Sequence, residues 1–563
     1  MLTRPGGAFE VVEEEVLGTT MKVYRQRMRS LREITRLAAL REAGEEFIVY
    51  EDRRIDFSTF VKEADAVGAA LAKEWDVDKG DRVAVLSANN PEWCTTLWSS
   101  VDMGAILVGL NGWWNTEEIL FGLRDSAAKV LVADRARFER IADQLDPLPD
   151  LEAVFLVDAY PEEVGGDSRV HSFADLLEAG RGLDAYEPPI EEDDPAVIFY
   201  TSGTTGKPKG AISTHRSMIA NLQNSLYIVF ASALANPERA IISADLKPTG
   251  LLSAPLFHVS GCHSGLVIGL AGGIKLVMVP GRFEPVKALE LIEREKVTVW
   301  TAVPTMVWRV VEDPARFDYD LSSVRSVSYG GSPSGSELQR RVQETFPNVR
   351  SIGNAYGLTE SSSAATINTG DDIELHPESV GRPLPVVDIR VVDEQGVSLA
   401  PGRIGEIVIK GPIVMPGYWN NPEATAEVIK DSWLHTGDLG YLDSEGFLYI
   451  TDRAKDMIIR GGENVYCVEI ENRLEQHPAV LEAAVIGVPH PTLGEEVKAI
   501  VRVEPDATVS AADIQQWVAA GLASFKVPAY VELTYTPLPR NPSGKILKNL
   551  LRGSGEVSFV ETF

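Results

Sequence analysis

A chain of 563 residues, 44% hydrophobic and 24% charged, is long enough to bury a large core and to hold more than one domain. Its formal net charge of -29 repels phosphate backbones and anionic bilayers, so nucleic acid is excluded as an expected partner and nonspecific membrane binding is disfavoured. The longest apolar run read from the sequence, 265–274, stops at Lys275 and is too short to span a bilayer, so no integral membrane segment is expected.

The first thirty or so residues carry Glu13-Glu14-Glu15 and read as a partly solvated extension. Strands and helices then alternate. Arg82–Ser87 reads as a strand, and Pro91–Met103 as a helix with proline in its first turn. Ala105–Leu110 is apolar again, and Asn115 is placed to cap a helix through Leu123, with Glu118 completing the box. Lys129–Ala133 and Ala153–Val157 are further strands, and the rhythm implies parallel sheets covered by helices. Glu187–Pro195 is acidic and proline-bearing, a linker ahead of the strand Ala196–Phe199. Val277–Val279, Val297–Trp300 and Val324–Ser328 continue the alternation. Beyond Ile373 the text becomes β-rich, with Val387–Val392 and Ile404–Lys410 between glycine and proline turns. A last α+β unit contains Val480–Val488, Val497–Val503, a helix capped by Ser510 and running to about Leu522, and Tyr530–Leu533. The fold class is α/β: a large N-terminal domain of helix-covered β-sheets plus a small β-subdomain, 1–452, and a small α+β domain, 453–563, which the resemblance given below implies is mobile.

The most informative run is Tyr200-Thr201-Ser202-Gly203-Thr204-Thr205-Gly206-Lys207-Pro208-Lys209-Gly210, directly after a buried strand. Glycines let backbone N–H groups approach a phosphate, hydroxyls donate to it, and lysine supplies charge. It is not a Walker A loop, because Thr201 holds the position of the required glycine and Pro208 follows Lys207. Four more segments put polar and glycine residues where a plain core would not: Gly330-Gly331-Ser332-Pro333 after a strand; Asn354-Ala355-Tyr356-Gly357-Leu358-Thr359-Glu360; His435-Thr436-Gly437-Asp438, an acid in a turn; and Thr451–Asp456 at the suspected domain junction. Arg540–Lys545 places one lysine on a late loop. Singly, each has a bland reading as core aromatic, turn former or solvated charge. His258, Cys262 and His263 lack a fourth ligand and match no zinc spacing. Cys94, Cys262 and Cys467 form no CxxC pair and read as reduced thiols of a cytoplasmic protein; the N-terminus carries no signal pattern.

In this order, from about residue 30 to about residue 550, the set resembles the adenylate-forming superfamily, in its acyl-CoA synthetase branch. The resemblance implies ATP, Mg2+ and coenzyme A as cofactors or co-substrates and a small-molecule carboxylic acid as substrate. It implies that Thr201, Ser202, Gly203, Thr204, Thr205 and Lys207 hold the β- and γ-phosphates of ATP. Tyr356 stacks on adenine between Ala355 and Gly357, Gly330, Gly331 and Ser332 form the opposite wall, and Asn354 reads the amino group. Asp438 takes the ribose hydroxyls with Arg453 assisting. Glu360 and Thr204 hold magnesium, Thr359 contacts the α-phosphate, and Lys545 bridges that phosphate and the substrate carboxylate. His258 sits near the carboxylate and the thiol entrance. A hinge near Lys455 rotates the small domain between two half-reactions, withdrawing Lys545 and bringing in Gly461 and Gly462.

The implied activity is acyl-adenylate formation with loss of pyrophosphate, followed by thioester formation with loss of AMP. Little chain follows the Lys545 segment, so no fused carrier domain is expected and free CoA is the first acceptor. The alternatives are an acyl-AMP ligase that loads a separate carrier, a luciferase-like oxidase, and a catalytically silent nucleotide-binding regulator. Pocket segments Leu256–Gly265, Val303–Trp308, Tyr329 and Gly353–Ser362 carry no lysine or arginine, which favours a fatty, aryl or polycyclic acid. Oligomeric state stays open, a homodimer included. One departure is visible: Cys467 stands where many relatives carry proline, and is read as changing loop stiffness only.

Overall fold

The computed structural model describes residues 2–164, 167–201, 208–237, 247–331, 336–461, 463–541 and 544–553. Two large sheets dominate, of seven and nine strands. In the seven-stranded sheet, Pro195–Thr201 lies parallel to Ile106–Gly109, which continues in parallel through Arg82–Leu86, Val130–Asp134, Ala153–Val157 and Val170–Ser172. Lys209–Thr214 closes its edge antiparallel. In the nine-stranded sheet, Thr249–Leu252, Lys275–Met278, Val299–Ala302, Ser326–Gly330 and Ser351–Leu358 form the parallel centre, with antiparallel strands at both edges. Near-continuous apolar strands are what a sheet covered on both faces requires.

The helices Phe57–Glu74 and Pro91–Asp102 lie between the two sheets, and one core joins Trp93, Trp98, Phe57 and Phe60 to Val83, Phe199, Leu252 and Met278. Asn90 caps Pro91–Asp102 by accepting from Trp93 N, and Asn115 forms the expected capping box with Glu118 at 3.0 and 2.9 Å. The outer face of the nine-stranded sheet is covered by Pro285–Glu295, Pro304–Glu312 and Ser336–Thr345. A five-stranded β-unit built on Asp388–Val392, Gly405–Lys410 and Trp433–Leu442 follows. A second five-stranded sheet, centred on the antiparallel pair Val480–His490 and Gly494–Val503, packs on Cys467–Glu475 and Ala511–Ala519. Ser510 does cap the latter helix, which ends three residues short of Leu522.

The N-terminal segment is not the solvated extension expected. Val11–Val16 and Thr19–Tyr24 form a hairpin whose second strand buries Val23 and Tyr24. The Tyr24 hydroxyl donates to Asn224 Oδ1 at 2.7 Å, and Phe9 packs edge-on against Tyr24 and Tyr227. The glutamate run misleads because those side chains remain in or near solvent, and Glu14 is paired with Arg27, which also grips Glu192. A second correction concerns His215–Ala235, which the apolar-run reading passed over. Among the described residues it is one helix long and apolar enough to cross a membrane. Its first half is buried in the domain, and Asn221 and Asn224 make hydrogen bonds there to Ala364 O and Tyr24.

Candidate active site

Thr201, Gly330, Thr359 and Glu360 lie at or just past the carboxyl ends of strands in the two large sheets, where open α/β sheets place their ligands. Tyr329 and Gly330 lie in register with Asn354 and Ala355. The approach is close: a Cβ on Gly330 would sit 2.4 Å from Ala355 O, and one on Gly357 would sit 1.7 Å from Ser363 O. Only glycine fits either position. Asn354 is buried, and so is Tyr356, whose hydroxyl donates to Asp438 Oδ2 at 2.8 Å. Burial and the Asp438 charge together push the Tyr356 phenol well above its ordinary pKa.

Asp438 is not in a turn, as its Thr-Gly-Asp context suggested. It lies inside the ten-residue strand Trp433–Leu442, where Gly437 takes φ +68° without ending the ladder. Its register partner is Arg453, and Arg453 Nε lies 3.0 Å from Asp438 Oδ1. One carboxylate thus holds a tyrosine and an arginine, and keeps lone pairs for a further donor.

Thr359 and Glu360 occupy a short helical turn directly after Ser351–Leu358. Glu360 Oε1 accepts from the Tyr418 hydroxyl at 2.8 Å, and its carbonyl accepts from Met415 N at 2.8 Å. Tyr418 in turn lies under the Lys209 ammonium. A half-buried carboxylate oriented through one oxygen suits a hard divalent cation.

Lys545 arrives from the small domain on a tight hairpin. Asn541 N donates to Lys545 O, Lys545 N to Asn541 Oδ1 and Gly544 N to Asn541 O, at 2.8 to 2.9 Å. Gly544 takes φ +81° to make the reversal. Two donors clasp its carbonyl: Arg540 Nη1 at 2.8 Å and, from the large domain, Thr305 Oγ1 at 3.0 Å. The Lys545 side chain keeps solvent contact within the cleft. Crowding by the cleft walls, then Arg453, pulls its pKa down to about 8, with Asp438 and Glu360 opposing and Lys455 adding to the fall. His258 is close enough to feel Lys545: desolvation first, then that positive charge, lower its pKa to about 4, so it is neutral at pH 7.

The His258 loop is anchored to the other sheet. Asn89 Nδ2 donates to Ala254 O and Leu256 N donates to Asn89 Oδ1, both at 2.9 Å. Beyond it, Cys262–Val267 is a π-helical turn, a form that recurs at functional sites. His263 is a buried structural residue, with Nε2 3.1 Å from Ser213 Oγ and a pKa lowered by burial to about 3. Beside this loop lies a small cleft, whose walls include Asn89, Trp113, Phe283, Thr305, Arg309 and Gly544.

Thr201 ends its strand with its hydroxyl 3.4 Å from Lys209 O, and Gly331 takes φ +88° just after Gly330. Ser202, Gly203, Thr204, Thr205, Lys207, Ser332 and Gly462 lie outside the described residues. Lys455 is exposed in the turn between Leu448–Arg453 and Ile458–Arg460. Gly461 N donates to Leu493 O at 2.8 Å within the small domain, so the structure does not bring Gly461 to the Lys545 cluster. Sequence reasoning missed Tyr418, Trp113, Phe283 and Arg309; Thr305 and Arg540 lay in segments it singled out, without a role of their own. The Pro416-Gly417-Tyr418-Trp419 run, an aromatic pair after a turn, was the one usable signal.

Comparison with known proteins decides the kinship. Residues 36–419 match the AMP-binding enzyme family, and residues 469–545 match the AMP-binding enzyme C-terminal domain. The chain belongs to this family. A feruloyl-CoA synthase of Amycolatopsis sp is 36% identical over 476 residues, 84% of this chain and 89% of the relative. A long-chain-fatty-acid–CoA ligase of Bacillus subtilis is 32% identical over 545 residues, 93% of this chain and 94% of the relative. The crystal structure of an anthranilate CoA ligase in complex with anthranoyl-AMP superposes with a TM-score of 0.82 at 27% identity, covering 94% of this chain and 97% of that one. The AMP-binding enzyme described here is therefore an adenylate-forming acid–thiol ligase of the acyl-CoA synthetase branch.

Proposed function

We propose that this ligase joins a hydrophobic carboxylic acid, fatty, aryl or polycyclic, to CoA. The observation that carries the reading is the seating of the Lys545 hairpin on Thr305 of the large domain, which sets the ammonium within electrostatic reach of the Asp438–Arg453 pair and Glu360. A carboxylate must attack the α-phosphorus of ATP, so two anions approach while charge moves onto departing pyrophosphate. Lys545, protonated, offsets that charge at the carboxylate and α-phosphate oxygens. Thr359 is placed to donate to the same phosphate. Tyr356, with Gly330, Gly331, Asn354, Ala355 and Gly357, holds adenine, and Asp438 with Arg453 holds the ribose. Thr201 to Thr205 and Lys207 hold the outer phosphates. Glu360 fits Mg2+, with Thr204 as a further oxygen ligand; the bound ion neutralises phosphate charge. In the second step the thiol sulfur attacks the acyl carbonyl, its proton is lost, and AMP leaves.

The acid must be present while the Lys545 hairpin is seated, and Gly544 of that hairpin forms part of the cleft wall. Withdrawal of the hairpin about Lys455 would open that wall toward His258, and Gly461 and Gly462 would then enter the site. The acid's tail is offered apolar segments such as Val303–Trp308, of which Val303 and Val307 are buried and Val303 and Met306 line the cleft beside the hairpin. The named relatives act on an aryl acid and on fatty acids, which supports a hydrophobic tail without choosing between the two. Three buried free cysteines support a reducing, cytoplasmic setting.

Incubation with ATP, Mg2+, CoA and a mixed panel of fatty, benzoic, cinnamic and steroid side-chain acids, read by mass spectrometry, tests this. A new acyl-CoA with AMP is expected. Acyl-AMP without thioester would replace CoA by a carrier protein as acceptor, and no adenylate from ATP would leave only nucleotide binding. Asp438→Asn is expected to raise KM for ATP roughly tenfold with kcat little changed, because it weakens a contact made equally in ground and transition states. An unchanged KM would remove Asp438 from the ribose site.

A further inference from the structure

Asp452 is the fifth residue of the six-residue strand Leu448–Arg453 and stands in register with Leu439, so its backbone is fixed to the β-unit of the large domain. Its carboxylate is 2% exposed. Oδ1 accepts from Arg453 N at 2.7 Å, and Oδ2 accepts from Cys467 N at 2.5 Å. Cys467 is the first residue of the helix Cys467–Glu475 and is fully buried, on the far side of the turn that carries Lys455. Its thiol donates to Asp456 O at 3.1 Å. A carboxylate receiving the first N–H of a helix is a favourable cap, helped by the helix dipole. The turn between the two partners is held by local bonds, Asp456 N and Met457 N both to Arg453 O. A swivel at Lys455 would leave Asp452 in its ladder and carry the start of Cys467–Glu475 away from it. The bond therefore belongs to the orientation in which Lys545 faces Asp438 and Glu360.

We infer that Asp452 is a positioning residue: through the Cys467 N–H it latches the small domain in the adenylate-forming orientation and must release before the thioester step. The inference rests on the hinge reading above. Proline, which many relatives carry at the Cys467 position, has no N–H to give. Lys548, paired with Glu471 at 2.8 Å, adds a positive charge beside Asp452 on the same side of the swivel as the helix. Arg552 pairs with Asp456 at 3.0 Å, on the helix side of the swivel.

Cys467→Pro gives a selective test. Proline is accepted at the first position of a helix, and Tyr466, at ψ 119°, already has the extended backbone that must precede it. Cys467→Ala keeps the N–H and removes only the thiol. Adenylation is read by exchange of labelled pyrophosphate into ATP with the acid found by the panel. The second step is read from the preformed acyl-adenylate and CoA. Cys467→Pro and Asp452→Ala should lower the ratio of adenylation to thioester formation about tenfold, the scale of a charge-assisted hydrogen bond. Cys467→Ala should leave that ratio unchanged. Equal loss of both steps in the proline variant, or a ratio equal to that of Cys467→Ala, overturns the latch. Lys455→Pro, run alongside, separates the two ideas: if it divides the half-reactions while Cys467→Pro does not, the hinge stands and the latch falls; if it does not divide them, both fall.

Discussion

Lys545→Ala is expected to lower the rate of adenylate formation by about two to three orders of magnitude, the usual scale for losing one preorganised charge at a phosphoryl transition state. The same variant should convert supplied acyl-adenylate to thioester at close to the native rate, because on the hinge reading the lysine has been withdrawn from the site before that step. Its placement makes the expectation sharp. The hairpin carrying it is closed by Asn541 and clasped by Thr305 and Arg540, so alanine removes the ammonium and leaves the backbone where it was. A pH effect accompanies it. The ordinary lysine pKa is lowered to about 8 by crowding and by Arg453, so the charged form prevails below that value and is lost above it. In the native enzyme kcat/KM for adenylation should therefore fall as pH rises through about 8, and this limb should vanish in Lys545→Ala. Loss of the second step as well, or a limb that survives the substitution, would take Lys545 out of the adenylation chemistry.

The site was legible in the sequence to the extent that short segments carry their own geometry. Gly330 and Gly357 are required by backbone contacts of 2.4 and 1.7 Å, and such glycines stand out in any apolar strand context. Asn115 and Ser510 announced their helices because a cap is a local bond. Asp438 was assigned to a turn because His-Thr-Gly-Asp has turn chemistry; its pairing with Arg453, and that of Leu439 with Glu406 and Asp452, override that local preference. The hairpin at the N-terminus was hidden for a similar reason. Its strand of glutamates has no apolar alternation, and what fixes it is burial of Tyr24 against a helix two hundred residues away. Asn89 and Tyr418 were invisible because they act on distant segments with no spacing rule behind them, and the clasp of Thr305 and Arg540 on Gly544 cannot be read from the segments that contain them. Cys467 shows the opposite failure. Its departure from proline was noticed, but its consequence depends on Asp452, fifteen residues earlier, and only the fold brings the two together.

Lys455→Pro is expected to lower thioester formation from supplied acyl-adenylate by roughly a hundredfold while leaving adenylation within about threefold of native. Proline fixes φ near -65° and resists rotation through other values, and an obstruction of about 3 kcal/mol on the path corresponds to that factor. Lys455 is exposed and its turn is closed by N–H groups of Asp456 and Met457, not by its own, so the substitution breaks no described hydrogen bond in the adenylating orientation. The Lys545 hairpin and the Asp438–Arg453 pair are therefore expected to form as before. Accumulation of acyl-AMP in full reactions with CoA should follow, visible by mass spectrometry as an intermediate that the native enzyme consumes. Native-like thioester formation would mean that rotation occurs elsewhere than Lys455. Equal loss of both steps would mean that the turn supports the site itself, and that one arrangement of the two domains serves both reactions.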